Sequence, residues 1–167
     1  MFGKIYESTW WGTPTTIFGS IYYDLANPIS YGAELLTNSD MSSVAFPWNY
    51  GSWSGITPTT DGDIASLTLT ASYPTDNPRI EQTFATEIGK TYRVDALVDG
   101  QGSVIQLLIV EDSTFTFITS SELNTSGYEN ITFDFTATST STIVQVLVKG
   151  TTSDVALLDN ISIKEIL

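Results

Sequence analysis

Apolar and polar residues alternate one by one near the C-terminus of this chain, and this alternation restricts the fold more than any other sequence feature. In the segment 157–166, Ile161 and Ile163 alternate with Ser162 and Lys164. Successive side chains of a β-strand point to opposite faces of a sheet, so the pattern predicts a half-buried strand whose isoleucines face a core. We expect this strand to complete the fold.

The same period recurs in short segments from residue 33 onward, separated by turns rich in Gly, Pro, Asn, Asp and Ser. Polar loops are predicted at 57–62 and 73–78. The segment 104–110 is apolar on both faces, which predicts a central strand, and the turn 99–102 is predicted to join antiparallel neighbours. The predicted strands are 34–37, 64–71, 79–86, 91–99, 104–110, 115–118 (a short edge strand), 127–137, one containing Val144, Val146 and Val148, and 157–166.

Strands at this spacing, without a long amphipathic helix, are typical of two packed antiparallel sheets. The composition agrees, because 12% of the residues are aromatic and only 15% are charged, and β-branched and aromatic residues fit pleated surfaces. A chain of 167 residues suits one domain with an additional arm. We therefore predict an all-β sandwich.

The charge balance and two missing residue types exclude several functions. A net charge of −13 repels phosphate backbones, so we expect no nucleic-acid binding; the acidity serves either solubility or affinity for cations such as Ca²⁺. The chain has no Cys and no His, which excludes disulfides, the usual zinc sites and a Ser-His-Asp triad. We recognise neither a signal peptide nor a membrane span and expect synthesis inside a cell.

Residues 1–32 differ from the rest in their dense aromatic residues. Trp10, Trp11, Tyr22 and Tyr23 lie in a segment that Gly and Pro residues interrupt. Trp and Tyr are enriched at interfaces, so we predict an arm that docks on another subunit or protein through these four side chains. The alternative is a strap that packs on its own domain.

Three segments resemble, in the same order, motifs of the jelly-roll carbohydrate-binding modules attached to cellulases and xylanases. Residues 34–41 (ELLTNSDM) resemble the opening motif, and residues 80–94 contain a Gln-x-Phe strand followed by a Gly-Lys-Thr-Tyr turn. Residues 158–163 (LDNISI) resemble the closing strand. The resemblance implies an antiparallel two-sheet jelly-roll β-sandwich over residues 33–167. It implies less about a ligand, because such motifs hold turns and cores.

The resemblance also implies roles for single residues. Gly89 is expected in a turn, and Phe84 and Tyr92 in the core. Modules of this kind often hold a structural calcium near the first and last strands, which implies Asp159 as a ligand, with Asn38 and Asp40 as the nearest further candidates. Calcium takes six to eight oxygens, including backbone carbonyls. In the alternative, these polar residues only cap turns.

The layout of an aromatic arm before a jelly roll resembles bacteriophage virion proteins, among them tail, fibre, collar and capsid-decoration components. Their domains end in a strand similar to residues 158–165 (LDNISIKE). This resemblance implies localisation in the virion, other virion proteins as partners of the arm, and a homo-oligomer such as a trimer or ring.

Carboxylates and aromatic rings are the remaining candidates for chemistry. The acids on or near predicted strands mostly occupy outward positions, where solvated carboxylates are expected, so we predict no catalytic residues and no enzyme. Trp48, Tyr50 and Trp53 form a cluster that could stack on sugar rings; in the alternative, the tryptophans belong to the core. The acids in question are Glu81, Asp95, Glu111, Asp112 and Asp134.

The leading prediction is a non-enzymatic virion structural protein, in which the arm anchors a jelly-roll module to the particle and the module can add to host adsorption. The alternative is a carbohydrate-binding module that recognises cell-surface or polymeric glycans.

Overall fold

The computed structural model describes residues 29–43, 48–50 and 55–167, and Gly32–Ile166 form one compact unit. The described residues contain ten β-strands, and no helix long and apolar enough to cross a membrane occurs among them. The strands are β1 Tyr31–Glu34, β2 Ile56–Asp61, β3 Ile64–Leu69, β4 Arg79–Ala85, β5 Thr91–Asp99, β6 Val104–Glu111, β7 Phe117–Asn124, β8 Glu129–Thr136, β9 Ser141–Lys149 and β10 Val155–Ile166.

The strands form two antiparallel sheets. One has the order β2–β3–β10–β5–β8, with β1 also paired to β10, and the other has the order β4–β9–β6–β7. Most side chains on the facing sides of both sheets are apolar, and they form a single core. This architecture confirms the predicted all-β jelly-roll sandwich of two antiparallel sheets.

The final strand, β10, lies inside its sheet, between β3 and β5. Its pairing with β5 shifts register between Asp159 and Ile161, and Asn160 has a φ of 49°. This is a β-bulge, which Asn tolerates better than most residues. Ala156 and Leu158 before the bulge are fully buried. Ile161 and Ile163 after the bulge, which were predicted to face the core, are fully buried as well. The backbone N–H of Ile161 donates to the Ser39 carbonyl, with an N–O distance of 2.7 Å.

The motif residues predicted for the core and its turn are confirmed. Tyr92 stacks on Phe135 with ring centroids 5.3 Å apart, and Phe84 meets Phe135 edge-on at 6.4 Å. The Tyr92 hydroxyl accepts a hydrogen bond from the Glu87 N–H at 2.8 Å. Gly89 follows in the turn with a φ of +83°, a conformation that favours glycine. The motif therefore combines a buried aromatic with the turn that precedes it.

Two elements near the start of the domain differ from the prediction. The strand predicted at 34–37 is wrong, because β1 ends at Glu34 and a turn follows. The N–H of Leu36 donates to the Glu34 carboxylate, so the ladder with β10 does not continue. The loop predicted at 57–62 is also wrong, because Ile56–Asp61 form the edge strand β2. An edge strand tolerates Pro58, whose missing N–H is needed less there.

One turn and two strands between residues 99 and 124 also differ from the prediction. The turn 99–102 joins β5 to β6, which lie in different sheets and are not neighbours. The segment 104–110 is a strand between β9 and β7, but only one of its faces lies in the fully buried core. The edge strand predicted at 115–118 instead runs from Phe117 to Asn124, because its polar Thr-Ser-Ser-Glu stretch hides the strand pattern. The other predicted strands end within two residues of the observed ones.

The carboxylate of Glu34 joins the end of β1 to β10. Its Oε1 accepts hydrogen bonds from the N–H groups of Leu35 (3.0 Å), Leu36 (3.1 Å) and Ile163 (3.0 Å). Its Oε2 accepts a bond from the Ser162 hydroxyl at 2.6 Å. Hydrogen bonds to an ionised acceptor are stronger than neutral ones, so this side chain fixes the entry of the chain into the domain.

The turn between the two sheets is held by hydrogen bonds from its backbone N–H groups. Ser103 N–H donates to the Gly100 carbonyl at 2.7 Å, and Gly102 N–H donates to the Thr125 carbonyl at 3.0 Å. The Asp99 Oδ1 accepts a bond from the Gln101 N–H at 2.9 Å. Asp99, Gly100 and Ser103 are buried, so the turn is packed into the end of the sandwich.

Candidate functional site

Polar side chains line the solvent side of the four-stranded sheet. We call this side, formed by the outward side chains of β4, β9, β6 and β7, the outer face. The inward residues of these strands alternate with them and fill the core. The strand registers align the outward residues in rows across the sheet. One row is Glu81, Gln145, Leu108 and Ser120, and the next is Arg79, Leu147, Gln106 and Glu122.

The two glutamines are the central polar groups of the outer face. The Gln145 amide nitrogen donates to Glu81 Oε2 at 2.8 Å, and the Arg79 Nε lies 3.4 Å from the same oxygen. The Gln106 amide nitrogen donates to the Ser120 hydroxyl at 3.1 Å. Among the described residues, neither glutamine Oε1 accepts a hydrogen bond. Each amide is therefore oriented through its nitrogen and offers its oxygen to a ligand.

Apolar side chains accompany these amides. Ile143, Leu147 and Val110 lie on the outer face but are buried, whereas Leu108 is half-buried. Solvent therefore reaches this face chiefly at its polar groups. Phe117, which pairs with Val110, is exposed at the β7 edge. The face thus presents hydrogen-bonding groups beside an exposed aromatic ring.

One corner of the outer face carries a cation. The Lys149 ammonium forms an ion pair with Glu122 and lies 5.6 Å from the centroid of the half-exposed Tyr73 ring. On the neighbouring strand β4, Arg79 pairs with Glu81. Each cation on the face therefore has an acidic neighbour, so neither ion pair carries a net charge.

The segment 48–50 extends the four-stranded sheet at the β4 edge. Asn49 N–H donates to the Glu81 carbonyl at 2.8 Å, and Glu81 N–H donates to the Asn49 carbonyl at 3.1 Å. Directly opposed residues point to the same face, so the exposed Asn49 joins the outer face. Trp48 and Tyr50, one position away on either side, point toward the core.

The aromatic cluster predicted as a ligand platform is therefore divided. Trp48 is only 2% exposed, and its indole N–H donates to the Asn38 carbonyl at 3.4 Å, which agrees with the core alternative. Tyr50 is partly buried against the same core. Trp53 lies outside the described residues, as do Trp10, Trp11, Tyr22 and Tyr23 of the predicted arm. Ligand stacking by Trp53 and docking by the arm remain predictions.

The three predicted calcium ligands lie near the β10 bulge, and two carboxylates there already have local partners. Asp40 Oδ1 accepts bonds from the Ser42 N–H (3.2 Å) and hydroxyl (2.9 Å), which hold the pKa of Asp40 below its ordinary value. Asp159 Oδ1 accepts a bond from the Asn160 amide at 2.6 Å. Asn38 has a φ of 53° and its carbonyl accepts the Met41 N–H.

These residues do not supply a carboxylate set for a metal. Within the described ranges, no group of three or more Asp, Glu, His or Cys side chains could hold a metal ion. A calcium ion there would need most of its oxygens from carbonyls or water. The local hydrogen bonds support the turn-capping alternative, and calcium remains a prediction.

The carboxylates considered for catalysis have structural partners. Asp134 forms a two-point pair with Arg93, with N–O distances of 2.6 and 2.9 Å, and this guanidinium lowers the pKa of Asp134. Asp95 accepts a bond from the Thr132 hydroxyl at 2.7 Å. Asp112 accepts one from Ser141 at 2.8 Å, and Glu111 one from Ser113 at 2.9 Å. These hydrogen bonds and the ion pair give each of these acids a structural role at the surface.

Sequence reasoning missed Gln106 and Gln145 as site residues, although a signal for them was present. The segments 104–110 of β6 and 143–148 of β9 are apolar except for one outward glutamine each. A lone amide in such a strand is unusual where both faces would be covered. The two glutamines therefore marked the solvent-facing side of the sheet.

No family model matches the sequence, and no curated relative matches it. Solved structures match the fold. A family 4 carbohydrate-binding module is similar with a TM-score of 0.60 and 15% identity, over 77% of this chain and 98% of that one. A family 61 module in complex with β-1,4-galactotriose (named TmCBM61) is similar with a TM-score of 0.59 and 19% identity, over 79% of this chain and 98% of that one.

A third similar structure is the enzymatically active domain of tailspike protein 4 from bacteriophage CBA120. Its TM-score is 0.54 at 11% identity, over 80% of this chain and 21% of that one. At these identities the similarities show the fold alone. The chain has a jelly-roll fold. The structural neighbours that share this fold are mostly non-catalytic carbohydrate-binding modules.

Proposed function

We propose that this chain is a non-catalytic carbohydrate-binding module whose site is the outer face. One observation carries the proposal: the Gln106 and Gln145 amides are oriented by hydrogen bonds, and their oxygens have no partner among the described residues. Sugar hydroxyls donate and accept hydrogen bonds, so they match a surface of amides, carboxylates and hydroxyls. Asn49, Glu81 and Ser120 supply such groups beside the two amides.

The arrangement also suits an extended ligand. The row from Asn49 through Glu81, Gln145 and Leu108 to Ser120 crosses four inter-strand steps of about 4.8 Å each, or about 19 Å. Hydrogen-bonding groups at intervals along such a row can contact successive sugar units. The structural neighbours support this function: one was solved with β-1,4-galactotriose, and another is a xylan-binding domain.

Replacing both glutamines is expected to weaken glycan binding. Each lost hydrogen bond contributes about 0.5–1.5 kcal/mol, so the Gln106→Ala, Gln145→Ala double variant should bind about tenfold more weakly. Binding is measured by calorimetry on the tightest ligand from a panel of xylan, β-1,4-galactan and cello-oligosaccharides. Asn130→Ala removes an exposed amide from the other sheet and should leave affinity unchanged. An intact chain that binds no glycan would refute the function; unchanged affinity in the double variant would refute the site.

A second candidate is the virion structural role, with residues 1–32 as the anchoring arm and other virion proteins as partners. The similarity to part of a bacteriophage tailspike protein supports it, since this fold occurs within a particle component. The similar carbohydrate-binding modules support carbohydrate binding more directly. Both roles are compatible, because an anchored module could bind host glycans.

If the arm mediates assembly, the full chain should be a trimer or ring in solution. The Trp10→Ala, Trp11→Ala variant should lower its mass toward that of the 18.2 kDa monomer, because buried aromatic residues provide much of the energy of an interface. Light scattering after size exclusion measures the mass, and Tyr128→Ala, which removes an exposed aromatic ring from the domain, is the control. A full chain that is already monomeric, and binds no particle protein, would contradict the anchoring role.

A further inference from the structure

We propose that Phe115 and Phe117 form the stacking platform of this site and bind the apolar face of a sugar ring in an uncharged glycan. The inference rests on the proposed function and assigns to these two residues the role that the sequence suggested for Trp48, Tyr50 and Trp53. Phe115 is 69% exposed and Phe117 is 57% exposed, whereas Trp48 and Tyr50 point toward the core.

A β-bulge directs Phe117 onto the outer face. The pairing of β6 with β7 shifts register between Ile109 and Val110, so that Val110 pairs with Phe117 and Ile118 is the additional residue. Ile118 consequently packs against the core. Without the extra residue, strict alternation from the outward Ser120 would turn Phe117 inward. Bulges commonly redirect a side chain at a binding site.

The turn before β7 holds Phe115 in an unfavourable conformation. Its φ is 53°, in the left-handed region that a bulky aromatic residue rarely adopts. The Glu111 N–H donates to the Thr116 carbonyl at 2.8 Å, and the Glu111 carboxylate accepts bonds from the hydroxyls of Ser113 and Thr114. A rigid turn thus presents a strained and exposed phenylalanine. Neither property stabilises the fold, and such strain is concentrated at functional sites.

The position of the Phe117 ring fits the amphipathic chemistry of a sugar. Phe117 lies at the end of the row Thr83, Ile143, Val110, adjacent to the row that contains Gln145 and Ser120. A pyranose ring has C–H groups on its faces and hydroxyls at its edges. A sugar stacked on the β7 edge can therefore place hydroxyls toward the glutamine oxygens.

The charges of the face favour an uncharged ligand. Arg79 pairs with Glu81, and Lys149 pairs with Glu122, so both cations of the outer face have acidic partners. The chain as a whole carries a net charge of −13, which repels polyanions. A uronate polymer would meet this repulsion, and both cations of the face that could attract it already have acidic partners.

Two single variants and one matched control test the platform. Phe117→Ala and Phe115→Gly should each weaken binding of the tightest neutral polymer in the panel, about tenfold when combined. Ile88→Ala removes an equally exposed apolar side chain (68% exposed) from the turn between β4 and β5 and should bind like the unchanged chain. Phe115→Gly should also raise the melting temperature or leave it unchanged, because glycine relieves the left-handed strain. Polygalacturonate should not bind.

The outcomes separate this inference from the proposed function. If the phenylalanine variants bind normally while the glutamine double variant does not, the platform is wrong and the site stands. If the intact chain binds no glycan, both fail. If the exposed rings instead hold two copies together, Phe117→Ala will lower the mass in solution without changing glycan affinity, and the platform is again wrong. Preference for polygalacturonate over the neutral polymers would overturn the assigned ligand class.

Discussion

Gly100→Ala is expected to destabilise the folded chain by about 3 kcal/mol, near the upper end of the range for overpacking a buried position. A Cβ at residue 100 would lie 2.0 Å from the Ser103 carbonyl oxygen and 3.2 Å from the Thr125 carbonyl oxygen. Both are backbone atoms, so no side-chain rotation can relieve the clash. Moving them would disturb the bonds from Ser103 to Gly100 and from Gly102 to Thr125.

Urea unfolding followed by circular dichroism measures this effect, with Gly127→Ala as the matched control. A Cβ at residue 127 would have no heavy atom within 4 Å, and its backbone is not in the left-handed region. The control should therefore keep or slightly raise stability, because alanine restricts the unfolded chain more than glycine. Equal free energies of unfolding for the two variants would show that the turn between the sheets adapts without cost.

Glu34→Ala is expected to destabilise the chain by about 2–4 kcal/mol. The substitution removes an acceptor shared by three backbone N–H groups and the Ser162 hydroxyl. Ile163 is fully buried and Leu36 is 6% exposed, so their N–H groups would be left without partners away from water. Each unsatisfied buried donor costs about 1–3 kcal/mol. The loss should exceed that from an ordinary surface acid.

Glu165→Ala provides the comparison, because Glu165 lies on the same strand and pairs with Lys90 at 2.5 Å on the surface. Exposed ion pairs contribute little to stability, so this variant should lose much less. Glu34→Gln keeps an oxygen at the same place and should be intermediate. Chemical unfolding of all three gives the ranking, and a Glu34→Ala loss no larger than that of Glu165→Ala would contradict the assigned role.

Local pattern predicted most of the fold, and non-local bonds explain where it failed. Alternation placed β4, β5, β8, β9 and β10, because each has one face in the core. It failed at Glu34, where the strand ends through bonds to Ser162 and Ile163, more than 120 positions away. It also failed at β2, because an edge strand with little burial has no apolar period to detect.

The candidate site was less predictable for the same physical reason. Trp48 and Tyr50 looked like a platform because aromatic side chains stack well on sugar rings. Their direction, however, depends on the pairing of Asn49 with Glu81. That pairing assigns Asn49 to the outer face and its neighbours to the core. The direction of Phe117 likewise depends on a bulge that composition does not reveal. The polar positions of Gln106 and Gln145 were visible, but their alignment across strands was not.

The central position of β10 has a consequence for how the chain folds as it is synthesised. β3 and β5 both pair with β10, and Ala65 pairs with Leu158 across more than ninety positions. Until residues 155–166 leave the ribosome, the larger sheet lacks the strand that joins its two halves. The incomplete sheet then exposes two strand edges and an open core, which are features that promote aggregation. Pairings so distant in sequence form slowly, so the nascent domain stays vulnerable until its last strand inserts.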